Sequence, residues 1–527
     1  MKLVEAARRS VLVAGAVMAL LPLAEAGHAA GPEKGGVLVV GTTEVPRHLN
    51  PAVQSGVATA TPGAQLFASP LRFDADWNPQ PYLAKSWAWS DDGLALTLHL
   101  VENATFHDGT PITSEDVAFS ILANREHHPF KAKFGTVEAI DTPDPHTAII
   151  RLSRPHPALL LSLSPALAPI MPKHIYGDGQ DLKSHPRNSA DVVGSGPFRL
   201  VEFVPDKHVV LERNPDFFIE GRPYLDRIVN RIFKDESSLV IAMQGGEIDL
   251  RPYLTTVRDI ERLREDPAIE VTDRGYGGIG PLVWLAFNTQ HPVLQDRRVR
   301  QAIAYAIDRD FIVRALHRGV SRPATGPIVP GSPFYSDALE PYAVDLDKAR
   351  ALLAEAGYGD GLELTIDYAP GAAEQRKNVA EYLKAQLRKV GIDLNVRASP
   401  DFPTWARRVS SHEFDVSMDL VFNWGDPVIG VHRTYLCDNI TKGVIWSNTQ
   451  SYCNPKVDEL LDAAGQETDP ARRKELYAEF QKIVVEDAPI TFINVVPYHT
   501  AYRADVKNPP TTIWGAMSPM DEVYLDR

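Results

Sequence analysis

The residues that could carry chemistry are sixteen histidines, two cysteines, one glycine run and the acids of a chain with 68 Asp and Glu. The closest histidines, His127 and His128, are adjacent. Neighbours on a helix point about 100° apart, so they do not converge on one ion as a pair spaced i, i+4 does. Gly275-Tyr276-Gly277-Gly278-Ile279-Gly280 matches GxGxxG as a string. That fingerprint holds a pyrophosphate only where its third glycine opens a helix. Here it leads into Pro281 and the strand-like 282–287, so close-packed backbone before a crossing strand is the expected use. Asp415 and Asp419 fit one strand face, an arrangement open to acid–base work, yet such pairs arise readily in so acidic a chain. No GxxxxGK[ST], HExxH or GxSxG string occurs. Nothing in these patterns calls for an enzyme, a metal or a cofactor.

The elements that must position these residues read as mixed α and β. Val37-Leu38-Val39-Val40 is a buried-strand run ahead of a loop over 41–50, and Asp91-Asp92-Gly93 marks a hairpin followed by alternating Leu94, Leu96, Leu98 and Leu100. Thr113 and Asp116 stand at capping-box spacing before Val117, Ile121 and Leu122. Strands are expected at 146–152, 198–204, 208–212, 362–367 and 393–397. Helices are expected at 296–317, 346–356, 375–390, 456–464 and 471–486. The first half is richer in hairpins and the second alternates strand with helix, which predicts an α/β protein of at least two lobes. No repeat or low-complexity linker cuts the chain.

At 527 residues, with 44% apolar and 23% charged side chains, the composition is that of a folded protein of two to four domains. The formal charge of −14 argues against nucleic acid or an anionic membrane as the main partner. Lys2, Arg8 and Arg9 precede an apolar run over 11–23, and small residues follow at Ala24, Ala26, Gly27 and Ala29. This is the build of a secretory signal peptide, too short for a spanning helix. Cleavage after Ala26 or Ala29 both fit, and Arg8-Arg9 leaves twin-arginine export open beside the general route. Removing 1–26 takes away three positive and two negative charges, leaving −15. In an oxidising compartment Cys437 and Cys453, which enclose fifteen residues, read as a disulfide; two free thiols are the alternative.

Several stretches together resemble the peptide and nickel class (family 5) of ABC-transporter periplasmic solute-binding proteins. They are Leu83-Ala84-Lys85-Ser86-Trp87, Phe106-His107-Asp108-Gly109-Thr110-Pro111, Gly194-Ser195-Gly196-Pro197-Phe198, Glu212-Arg213-Asn214-Pro215-Asp216, Gly246-Glu247-Ile248-Asp249, Asp296–Ile303 and Gly425-Asp426-Pro427, in that order. The resemblance implies a type II periplasmic-binding-protein fold: two lobes on a two-strand hinge, with an extra subdomain inserted in the first. On that reading 1–29 is the signal peptide, 30–69 and 191–280 the first lobe, 70–190 the insertion, 281–490 the second lobe and 491–527 the return to the first. The segments 282–288 and 490–496 would cross between lobes.

It also implies capture of a peptide or a peptide-sized polar metabolite and delivery to the transmembrane subunits of an ABC permease, by a monomer without cofactor. An opine, an oligosaccharide or a metal chelate is the alternative ligand. A secreted hydrolase and a signalling receptor are the rival roles. The loop 51–57 and the segment 422–426 match ligand-lining segments, which makes Gln54, Ser55, Asn423, Trp424 and Asp426 the expected contacts, with Tyr276 added near the hinge. Gln54 and Ser55 would hydrogen-bond and Trp424 would supply a flat apolar wall. In peptide-binding members an aspartate pairs with the ligand's α-amino group; here that position falls on the uncharged Asn423. The carboxylate-binding arginine of the dipeptide branch falls near Pro370.

Overall fold

The computed structural model describes residues 32–340, 342–369 and 373–527; the expected signal peptide and the position at Pro370 lie outside the described residues. Among the described residues no helix is long and apolar enough to cross a membrane.

The run of β-branched residues at Val37–Thr42 forms the heart of a seven-stranded sheet. It pairs in parallel with Arg227–Ile232, beyond which lie His208–Arg213 and Phe198–Val204. On its other side come Leu250–Leu254, His499–Arg503 and Ile269–Thr272. A second sheet, of six strands, runs Arg322–Pro323, Ile490–Val495, Pro281–Phe287, Val416–Phe422, Leu362–Tyr368, Ile392–Ala398. Alternation along Pro281–Phe287 splits its apolar residues between two layers. Val283, Leu285 and Phe287 pack under the helices Arg297–Ala306 and Ala373–Arg388, while Leu282 and Ala286 face Leu461, Tyr477 and Phe480. The two sheets are the cores of two lobes.

A third, antiparallel sheet of Ala84–Trp89, Ala95–Leu100, Thr147–Leu152 and Val137–Asp144 belongs to the insertion. Its first hairpin turns where Asp92 accepts from Ser90 Oγ at 2.6 Å and Leu94 N–H at 3.0 Å. The helix Ser114–His127 packs on this sheet, and at its start Thr113 donates its N–H and its hydroxyl to Asp116, each at 2.9 Å.

The chain leaves the first sheet after Thr272 and enters the second at Pro281; it returns between Val495 and His499. The two connections lie side by side, since Leu282 is in register with Val495. The glycine run fills the first of them. A Cβ at Gly275 (φ 103°) would come within 2.9 Å of the Thr511 backbone. Two narrow connections between two packed bodies are the geometry of hinge closure.

One expected element divides. The pattern over 296–317 predicts a single helix, but Arg297–Ala306 stops at Ile307, and Asp308 caps a new turn, Arg309–Phe311, by accepting from Phe311 N–H at 2.8 Å. A short polar side chain competes with the helix backbone at that point. The other helices and strands lie within a few residues of expectation, and Cys437 and Cys453 are joined.

Candidate ligand-binding cleft

The strand Val416–Phe422 delivers the chain to the space between the lobes. Asn423 N–H and Trp424 N–H continue its ladder onto Gly280 and Ile279 carbonyls, both at 3.2 Å. Backbone in the left-handed region at Trp424 (φ 52°) and Gly425 (φ 79°) then swings the chain into the short helix Pro427–Gly430. Asp426 caps that helix through Val428 N–H at 3.0 Å. Its carboxylate is gripped by Arg473 in a bidentate pair of 2.7 and 2.8 Å, both side chains being almost fully buried. Burial pushes the Asp426 carboxyl up, but the Arg473 charge and hydrogen bonds outweigh it and hold the group below the usual carboxylate range. Asp426 therefore builds the loop, with both oxygens engaged inside the second lobe.

Asn423 is committed in the same way. Its Oδ1 accepts from Val329 N–H at 2.8 Å and its Nδ2 donates to the Pro327 carbonyl at 3.1 Å. Gln54 and Ser55 are half-buried on the loop before the helix Val57–Leu66, where the Gln54 amide donates to the Ser55 carbonyl.

Trp424 and Tyr276 do come together, through intermediaries. Tyr253, Tyr276 and Tyr498 form a triangle with ring centres 5.5–5.6 Å apart. Tyr498 meets Phe422 at 6.2 Å, Phe422 meets Trp424 at 5.7 Å, and Trp424 meets Phe130 at 5.2 Å and Trp514 at 6.4 Å. The run joins the first lobe, the insertion, the second lobe and the returning segment. Such tilted and edge-on pairs each add about 0.5–1.5 kcal/mol beyond burial, and all of these rings except Phe422 are buried against their neighbours where the bodies meet. The Tyr276 hydroxyl is spent on Thr500, and burial pushes its pKa up to about 12.

Charges of both signs flank this run. Glu44, on the first lobe, keeps an exposed side chain although protein surrounds it; burial raises its pKa, against the pull of Arg251. Arg251 itself is paired with Glu236 at 2.8 Å. Tyr498 lies in the field of both Glu44 and Arg376, which carries the positive side onto the second lobe. Asp419 accepts from Trp446 Nε1–H at 2.8 Å and Leu420 N–H at 2.7 Å; burial pushes its pKa up to about 6 against the opposing fields of Arg376 and Arg433. Across the cleft Gln375 donates to the Thr255 carbonyl at 3.4 Å, and Arg318–Glu261 and Arg154–Asp462 bridge the bodies at 2.9 and 2.6 Å. Rings from several segments and charges of both signs thus meet where the two lobes face each other.

The matches with known proteins agree with this geometry. Residues 78–442 fit the model of the bacterial extracellular solute-binding proteins, family 5 middle domain. A provisionally named ABC transporter peptide-binding protein of Brucella ovis is 32% identical over 426 residues, 77% of each chain. Among solved structures, the ABC transporter-associated periplasmic binding protein DppA of Helicobacter pylori, in complex with the peptide STSA, superposes with a TM-score of 0.81 at 26% identity, covering 94% of this chain and 99% of that one. The binding protein AgaA of A. tumefaciens R10, in complex with agropinic acid, gives 0.79 at 26% identity over 93% and 99%. With its two lobes, its inserted sheet and its ring-lined cleft, this chain belongs to the bacterial extracellular solute-binding proteins of family 5.

Proposed function

We propose that the protein is the periplasmic receptor of an ABC importer, capturing a peptide or peptide-sized polar metabolite between its lobes and handing it unchanged to the permease. The observation that carries this reading is the aromatic run from Tyr253 to Phe130, which draws on both lobes and is flanked by Glu44 on one side and Arg376 and Arg433 on the other. The relatives' peptide and opine ligands support an amino-acid-derived guest. An opine is the second reading, favoured by the agropinic-acid neighbour. Asn423 and Asp426 hold the loop, and Trp424 and Tyr276 line the space. Gln54 and Ser55 approach it from the first lobe. The first lobe comprises 30–69, 191–280 and 491–527, the insertion 70–190 and the second lobe 281–490. The receptor works as an exported monomer without catalysis.

Native mass spectrometry of protein recovered from the periplasm tests this. A bound small molecule, chemically intact after release and no longer taken up by a deletion strain, is the expected result. A protein that is always empty, or a guest that leaves altered, contradicts it.

A further inference from the structure

Among the described residues, the interior arginines Arg300, Arg309, Arg473 and Arg251 spend terminal guanidinium nitrogens on protein acceptors, and Arg433 does not. Arg300 spends its guanidinium on the carbonyls of Leu294, Gln295, Asp487 and Ala488. Arg309 does the same on Ala304, Tyr342 and Phe492, and Arg473 and Arg251 hold carboxylates. Arg433 makes one long hydrogen bond, from Nε to the Gly430 carbonyl at 3.3 Å. Among the described residues its two terminal nitrogens have no partner and no carboxylate comes within ion-pair distance, yet both nitrogens keep accessible surface.

The flat face of that guanidinium meets the insertion. The guanidinium carbon stands 4.7 Å from the centre of the Phe130 ring, and Phe130 belongs to the insertion and meets Trp424 at a tilt. Burial lowers the Arg433 pKa to about 10, and the one opposing field comes from Asp419, whose oxygens are taken by Trp446 and Leu420. A guanidinium always carries its charge in practice, so such a site bears a desolvated cation in a fixed plane. The ring face under it holds that plane in place. Four of its five N–H groups are left in the fork geometry that matches two oxygens of one anionic group.

We infer that Arg433, laid flat on Phe130, is the anion-recognising residue of the cleft, taking a carboxylate or phosphate of the captured molecule bidentately while Trp424 receives the adjoining apolar part. This rests on the capture reading and specifies one end of its ligand. Arg433 and Phe130 come from opposite bodies, so the anion binds at a residue that already joins the insertion to the second lobe.

The test compares the full mature protein with Arg433→Met and Arg433→Lys. Each is mixed with a periplasmic small-molecule extract for native mass spectrometry, and titrated calorimetrically with Met-Leu, Met-Leu amide, phenyl phosphate and phenol. Circular dichroism and melting of the empty proteins control for folding. The expected result is an anionic extract component retained by the wild type and lost by Arg433→Met. At least a tenfold preference for Met-Leu over its amide, or for phenyl phosphate over phenol, should vanish in Arg433→Met and partly survive in Arg433→Lys. The two probe pairs tell a carboxylate from a phosphate. An Arg433→Met protein that folds and holds the same component as tightly overturns the inference and leaves capture standing, as does a wild type that prefers uncharged probes. A wild type that binds nothing overturns both.

Discussion

The indole N–H of Trp446 donates to the Asp419 carboxylate across 2.8 Å, which ties the loop closed by Cys437 and Cys453 to the floor of the interlobe cleft. Asp419 is nearly buried, whereas Trp446 stays 39% exposed and reaches it from a left-handed backbone position (φ 54°). The loop is thus anchored to the strand that leads to the proposed site. In the chain-entropy model closing fifteen residues adds about 3 kcal/mol. Reduction should lower the denaturation free energy by about that amount in urea unfolding, and it should weaken ligand binding in protein that is still folded. Unchanged affinity after reduction would separate the loop from the site.

The raised Asp419 pKa gives a signed pH prediction. Its folded carboxyl titrates near 6 against an ordinary 3.8, so between those values the folded state holds a proton that the unfolded chain releases. The penalty is absent below about 4, grows as pH rises to about 6, and is fully present above. Asp419→Asn should therefore stabilise the protein at pH 8, by an amount on the order of 2 kcal/mol, and far less at pH 4. Trp446→Phe removes a hydrogen bond to the charged form and should raise the Asp419 midpoint further, read by carboxyl carbon NMR.

Two histidines, His432 buried and His107 half-buried, act in the opposite sense. Burial lowers His107 to about 4 and His432 to about 3, while in the unfolded chain each titrates near 6.5. His107 is held neutral, with Nδ1 accepting from Gly194 N–H and Nε2 bonded to the Gly196 carbonyl. As pH falls from 6.5 toward 4 the unfolded chain takes up protons that the fold refuses, so stability falls through that window. Each histidine steepens the loss by about 1.4 kcal/mol per pH unit. His107→Asn should flatten the measured slope of unfolding free energy by about that much, whatever it does to stability at pH 8.

The Asp426–Arg473 pair belongs to the loop's framework. Arg473→Met leaves a carboxylate buried without its cation and should cost about 3–5 kcal/mol in urea unfolding. Replacing both partners, Asp426→Leu with Arg473→Met, should recover most of it. Ligand affinity per folded molecule should change little in the double variant; a large specific loss would make Asp426 a contact.

Trp424→Leu removes the ring that joins the insertion to the second lobe. A loss of about tenfold in affinity is expected from its stacking contacts. Glu44→Gln should weaken ligands with a free amino group by a similar factor and leave their N-acetyl forms unaffected. Calorimetric titration of each variant decides both.

Much of the scaffold was legible in the residues alone because it is local. The Asp92 turn, the Thr113–Asp116 box and the glycine run before Pro281 each need only a few neighbours to declare themselves. The site is long-range. Asp426 reads as a candidate anchor until Arg473, 47 residues away, engages it. Asn423 reads the same way until the 327–329 loop takes both ends of its amide. Glu44, Phe130, Tyr253, Asp419, Arg433 and Tyr498 come from six separate segments, and no spacing in the chain announces that they converge. Phe422 ends the strand Val416–Phe422, and Tyr498 sits in the second lobe connection just before His499–Arg503.

Closure of the lobes on a guest is tested most directly by small-angle scattering of the mature protein, first stripped of ligand and then saturated with the molecule recovered from the periplasm. A smaller radius of gyration in the saturated protein is the predicted result. An identical radius in the two states, with binding verified in the same samples, would contradict it.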